Sequence, residues 1–145
     1  MKQDIHLKNS LLPFKLRVKT NPRNARVFIE KLAVLGTAEF IQLTAVAASQ
    51  FAELLDLAAH NASTSRVTLG QIGEVEGVSQ RRLGVTEVRI RLTVKHADEI
   101  EFEVRQQARG LGTKPRYSTP TISPTEASKF GEAIRTAKAR LESVG

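Results

Sequence analysis

One stretch of this sequence occurs twice. Residues 43–55 read Leu-Thr-Ala-Val-Ala-Ala-Ser-Gln-Phe-Ala-Glu-Leu-Leu, and residues 122–134 read Ile-Ser-Pro-Thr-Glu-Ala-Ser-Lys-Phe-Gly-Glu-Ala-Ile. They align without a gap at an offset of 79 residues, with Ala48/Ala127, Ser49/Ser128, Phe51/Phe130, Glu53/Glu132 and, beyond them, Ala58/Ala137 identical. Each copy reads as a strand end, a hydroxyl N-cap and a helix. In the second, Ser123 at the N-cap, Pro124 at N1 and Glu126 at N3 spell a capping box. In the first, Thr44 can cap, but Ala47 stands where the reciprocal glutamate would be. Ala48, Phe51, Leu55 and Ala58 step onto one helix face, as do Ala127, Phe130, Ile134 and Ala137. Alanine-rich helices resemble one another by chance, yet here strand end, cap and buried face all coincide. A tandem duplication is therefore expected, and it fixes the fold problem to one unit solved twice.

The periodicity around the two helices supplies the strands. Phe14, Leu16 and Val18 alternate with Lys15, Arg17 and Lys19, and Val88, Ile90, Leu92 and Val94 alternate with Arg89, Arg91, Thr93 and Lys95. Ile5–Leu7 reads as a weak edge strand, Arg26–Leu35 as a strand covered on both faces, and Glu39–Leu43 as the strand entering the first helix, with Gly36-Thr37 as a turn. Asn61–Ser65 reads as a polar connector. Arg66–Val78 is a strand bent or bulged at Gly70, Gly73 and Gly77, followed by a basic loop Ser79–Arg82. Beyond a turn at His96–Asp98, Ile100, Phe102 and Val104 alternate with Glu101, Glu103 and Arg105. Gln106–Arg116 reads as a loop, and Tyr117–Ile122 as the strand before the second helix. The helices are expected over about Ala45–His60 and Pro124–Glu142. The fold expected is α+β: two tandem ββββα repeats, residues 1–64 and 65–145, with curved antiparallel sheets and a helix after each, intertwined in one compact domain. Phe51 and Phe130 should occupy equivalent buried sites, each packing its helix on its own sheet. The first helix is apolar nearly all round, so burial on more than one side and a homodimer are expected.

A chain of 145 residues buries about 68–70% of its extended surface on folding. It has no cysteine, which removes disulfides, thiolate metal sites and thiol nucleophiles, and fits a reducing compartment. The first residues lack the basic flank and apolar core of a signal peptide, and Ala45–Ala59 is too short and too charged to span a bilayer. A cytoplasmic protein is expected.

Chemistry-bearing patterns are few. His6, His60 and His96 stand far apart with no second ligand at metal spacing. Gly110-Leu111-Gly112-Thr113-Lys114 lacks the spacing of a phosphate loop, and Pro115 occupies the hydroxyl position. No serine sits in a G-x-S-x-G elbow. A protein without catalytic function, metal or cofactor is expected.

The net charge of +7 makes nucleic acid the default partner, ahead of an anionic membrane surface. Lys15, Arg17 and Lys19 project three cations from one strand face, roughly 7 Å apart by strand rise. That spacing suits the phosphates of an extended single strand, and Arg23 and Arg26 carry the charge past the next turn. Arg89, Arg91 and Lys95 repeat the arrangement. There a solvated salt ladder competes, because a three-residue turn pairs Arg91 with Glu103. Arg105, Arg109, Lys114 and Arg116 form a third basic stretch without an acid. Phe51, Phe130, Phe14 and Phe102 lie on core faces, which leaves Tyr117, with Phe28 or Phe40, to stack on bases. Contact with the backbone should dominate, with little sequence discrimination.

The strand-to-helix junctions Phe40–Leu55 and Thr121–Ile134, each a hydrophobic strand end, Thr or Ser cap and Ser-x-Phe helix, resemble the PUR repeat and, more distantly, the Whirly proteins. The resemblance implies tandem ββββα units whose curved antiparallel sheets bind single-stranded DNA or RNA while the helices pack repeats and subunits together. A non-catalytic module whose sheet binds another protein is the alternative expectation.

Overall fold

The computed structural model describes residues 2–7, 14–21, 26–33, 36–63, 67–81, 84–107, 116–118 and 121–144. The architecture is α+β. Strands β1 (Lys2–Leu7), β2 (Phe14–Asn21), β3 (Arg26–Ala33) and β4 (Gly36–Thr44) precede helix α1 (Ala45–Ser63). Strands β5 (Gly70–Arg81), β6 (Gly84–His96), β7 (Glu99–Gln107), β8 (Arg116–Ser118) and β9 (Thr121–Ile122) precede helix α2 (Pro124–Val144). All strands join one antiparallel sheet in the order β1 to β8, with β9 on β7. A single sheet thus stands where separate sheets were expected, and its join is the β4–β5 junction.

The alternation read from the sequence decides what the sheet buries. Val18, Val27, Ile29, Ile41, Leu43, Val75, Val88, Ile90, Leu92, Val94, Ile100, Phe102, Val104 and Ile122 point to the core, against both helices. The other face carries the intervening polar residues. At the centre of the core three rings meet: Phe51 and Phe130 lie edge to face with centroids 5.4 Å apart, and Phe102 is 5.7 Å and 5.9 Å from them. Both helix phenylalanines are fully buried, as expected.

Both helix starts follow the sequence. Ser123 N–H donates to Glu126 Oε1 at 2.9 Å and Glu126 N–H to Ser123 Oγ at 3.2 Å, the reciprocal capping box. Thr44 Oγ1 accepts from Ala47 N–H at 3.1 Å, a cap without its reciprocal partner.

The helix packing differs from expectation. Each helix lies mainly on strands of the other half: α1 against β5 and β6, with a smaller contact to β4 and β3, and α2 against β2 and β1. The physical reason is the β4–β5 junction. Gln42 pairs with Val78, so the chain leaving β4 at Thr44 is already beside β5 and its helix lands there. Gly73 makes room for it, since a Cβ at Gly73 would stand 2.8 Å from Leu54 Cδ2. The two helices also cross each other. Equivalent residues of the aligned stretches, 79 apart, meet at the crossing: Phe51 with Phe130, and Asp56 with Arg135, whose Nη1 donates to Asp56 Oδ1 at 3.5 Å. Buried Gly131 lies by the backbone of Ala52, where an added Cβ would be 3.6 Å from the Ala52 carbonyl oxygen.

Several boundaries move. Gly36 and Thr37 are strand rather than turn, paired with Ala33 and Leu32. Helix α1 runs on through residues expected as connector, to Ser63. Residues Ser79–Arg81, expected as loop, extend β5 in register with β6. The glycine-rich stretch does carry a bulge, between Gln71 and Gly73. On α1, Val46 and Leu57 are 68% and 47% exposed, so within one chain the helix is not buried all round. Phe51, Leu55 and five alanines make its buried face, and Val46 and Leu57 fall on the opposite, exposed stripe.

Candidate nucleic-acid interface

Among the described residues the helices occupy one face of the sheet, and Arg17, Lys19, Arg89, Arg91 and Lys95 alternate with core residues onto the other, outward face. On β2, Val18 is buried while Arg17 and Lys19 are half-buried on the opposite side. The register sets their neighbours. Arg17 lies opposite Asp4 of β1 and Glu30 of β3, Lys19 opposite Lys2 and Phe28, and Lys15 opposite His6 and Leu32. The short first strand therefore brings an acid, Asp4, that the alternation of β2 and β3 alone does not reveal. Arg26 is half-buried at the start of β3, opposite Asn21 and Thr44. Arg23 lies outside the described residues.

The second basic set is spent on carboxylates. Arg91 Nε donates to Glu74 Oε1 at 2.7 Å, and its Nη2 is 2.6 Å from the same oxygen. Arg89 Nη2 lies 3.7 Å from Glu76 Oε1, and Lys95 Nζ 3.8 Å from Glu101 Oε2. Glu103 stands opposite Arg91 in the β6–β7 register, as the turn length predicts. The salt ladder is thus present, and two of its acids, Glu74 and Glu76, come from the strand on the other side of β6. A sign of them is visible in the sequence: both acids alternate with Val75 between glycines, the outward positions of a strand.

Of the third basic stretch, Arg105 is exposed on β7, opposite Arg89 on one side and Tyr117 on the other. Arg116 sits opposite Gln106. Arg109 and Lys114 lie outside the described residues, as does the glycine-containing segment 110–114. The sheet therefore brings Arg89, Arg105 and Tyr117 into one transverse row. Arg17 and Lys19 lie on the other half of the sheet, beyond the β4–β5 junction.

Sequence reasoning missed Gln42. It is 7% exposed, set between the core residues Ile41 and Leu43, and it marks the outward side of the junction. Its only sequence signal is an amide at an alternating position of an otherwise apolar strand. Among the described residues no three His, Asp or Glu side chains gather closely enough to hold a metal ion, and no helix is long and apolar enough to cross a membrane. Comparison with protein-family models and with curated protein sequences finds no match to this chain.

Proposed function

We propose that this chain is a non-catalytic, sequence-tolerant single-stranded DNA- or RNA-binding protein that lays the strand across the outward face of its sheet. The observation that carries the reading is the division of faces: both helices cover one side, and the other presents Arg17, Lys19 and Arg26 on the first half and exposed Arg89 and Arg105 on the second. Phosphates compete with neighbouring carboxylates for these groups on both halves, Asp4 and Glu30 in register with Arg17, and Glu74, Glu76 and Glu101 beside the cations of β6. Lys15, Arg23, Arg109, Lys114, Arg116 and Tyr117 belong to the same proposed surface.

The same reading treats the chain as two tandem ββββα units, 1–64 and 65–145, that have exchanged helices. The element order supports it, and so does the meeting of Phe51 with Phe130 and Asp56 with Arg135. Equivalent residues touch each other where a two-fold axis passes through an interface. It also includes a homodimer, supported by the exposed Val46 and Leu57 of α1. Light scattering should give twice the chain mass, and Leu57→Glu should return it to a monomer; a monomeric parent protein would remove the dimer from the proposal.

The ladder on β5–β7 favours a second reading for that half: an interaction module whose sheet binds another protein, its charges already neutralised internally. Gel shift of single- against double-stranded oligonucleotides separates the two. Preferred retardation of the single strand supports the first, and failure to retard either leaves the second.

A further inference from the structure

We infer that the row Glu74–Arg91–Glu103 across β5, β6 and β7 is an electrostatic fence, which holds Arg91 out of contact with phosphate and confines a bound strand to the neighbouring row, Arg89–Arg105. The inference rests on the single-strand reading and adds to it the track of the strand on the second half of the sheet. Register defines the two rows. Arg91 stands opposite Glu74 on β5 and Glu103 on β7, so a cation lies between two acids. Two residues away, Arg89 stands opposite Glu76 and Arg105, with Tyr117 beyond Arg105. The first row carries one net negative charge and the second one net positive charge. All six groups fall on the outward face, because they alternate with the buried Val75, Ile90 and Val104.

The ion pairs of the two rows differ in the same sense. Arg91 Nε and Nη2 lie 2.7 Å and 2.6 Å from Glu74 Oε1, and both side chains are about one-third exposed. Arg89 Nη2 is 3.7 Å from Glu76 Oε1, and both of those side chains are more than half exposed. A close pair partly shielded from water is screened less than a loose one in solvent. A phosphate therefore displaces Glu76 from Arg89 with little loss and meets Arg105 as a second cation. At Arg91 it would have to displace Glu74 and also stand beside Glu103.

Distance extends the effect beyond Arg91 itself. The two rows are about 7 Å apart by strand rise, within the Debye length of about 10 Å at 0.1 M salt. The acids of the fence thus also repel a phosphate that strays from the neighbouring row. Farther toward the β6–β7 turn, Glu101 and Glu99 continue the acidic side, and Lys95 is paired with Glu101.

Fluorescence anisotropy with a labelled oligothymidylate over a range of salt concentrations tests this. Glu74→Gln keeps the size of the side chain and removes one acid of the fence. It should tighten binding about fivefold at low salt, the worth of one partly exposed ion pair that no longer has to break. It should also steepen the log–log salt slope by about 0.7, as Arg91 takes a phosphate. Glu103→Gln should act in the same direction. Glu53→Gln, at an exposed position of α1 on the helix side of the sheet, makes the same change in net charge. It should alter affinity by less than about twofold, since charges more than a Debye length away are largely screened. Glu74→Gln/Arg91→Gln has the net charge of the parent protein and should bind as the parent does, since Arg91 contributes nothing there. A Glu74→Gln variant no tighter than Glu53→Gln would overturn the fence while leaving single-strand binding in place, as would a clear loss of affinity in Glu74→Gln/Arg91→Gln. Failure of the parent and of every variant to bind would overturn both readings.

Discussion

At the scale of single residues, two kinds of contact hold the halves together, and they differ widely in energy. Phe51 and Phe130 are fully buried against each other and Phe102. Truncating either to alanine removes a ring from the meeting point of both helices and the sheet, and should cost roughly 3–5 kcal/mol. Chemical denaturation of Phe51→Ala and Phe130→Ala should give similar losses; a loss from one alone would mean that the two sites are not equivalent. Asp56 and Arg135 also pair across the crossing, but both are about half exposed, so the pair itself contributes no more than about 1 kcal/mol. Reversing one charge, Asp56→Arg, sets like charges together and should destabilise. Adding Arg135→Asp should restore most of the loss, and denaturation midpoints that merely add would show the contact to be uncoupled. The phenylalanines were legible from helical spacing alone. The ion pair was not, because its partners lie on different helices and only the crossing brings them together. Arg91 shows the same limit. Turn length predicts Glu103 opposite it, and the guanidinium also reaches Glu74 on β5, whose register follows from β5 running on to Arg81 opposite Gly84, through residues that read as a loop.

At the scale of elements, capped helices and alternating strands could be read almost directly. Pro124 and the Ser123–Glu126 box define the start of α2, and Val88, Ile90, Leu92 and Val94 of β6 all face the core. The misread segments share a cause. Gly36-Thr37 and Ser79–Arg81 have turn-like composition but continue strands, since their neighbours supply the pairing that local propensity does not. The packing of α1 on β5 and β6 and of α2 on β1 and β2 was also hidden, because it depends on which strand lies beside β4. Gly77 is the glycine on which that junction turns. Gly77→Ala would press a Cβ against the Gln42 carbonyl oxygen and Leu43 Cδ2, both at 2.8 Å. A loss of about 1–3 kcal/mol is expected, read as a lower denaturation midpoint. Unchanged stability would mean that β4 and β5 separate there without penalty.

At the scale of the whole molecule, the chain carries an excess of seven positive charges, and among its described residues both helices lie on one face of the sheet. The sequence located the cations of the outward face and held open a salt ladder for the second set, which the structure shows. Glu74, Glu76 and Glu101 hold Arg91, Arg89 and Lys95. The proposed reading includes an electrostatic contact at Arg17 and Lys19, alternate outward positions of β2, and predicts that it is a backbone contact, indifferent to most of the sequence. The measurement that tests this most directly is the affinity of the protein for a single-stranded oligonucleotide as a function of salt, for the parent chain and for Arg17→Ala/Lys19→Ala. The logarithm of affinity should fall with the logarithm of salt concentration at a slope of about −0.7 per phosphate neutralised. In the double variant, affinity for every sequence should drop and the slope should become shallower by about one unit or more. An unchanged slope and affinity in the double variant would take the site away from β2, and absence of binding by the parent protein at low salt would contradict the account at its centre.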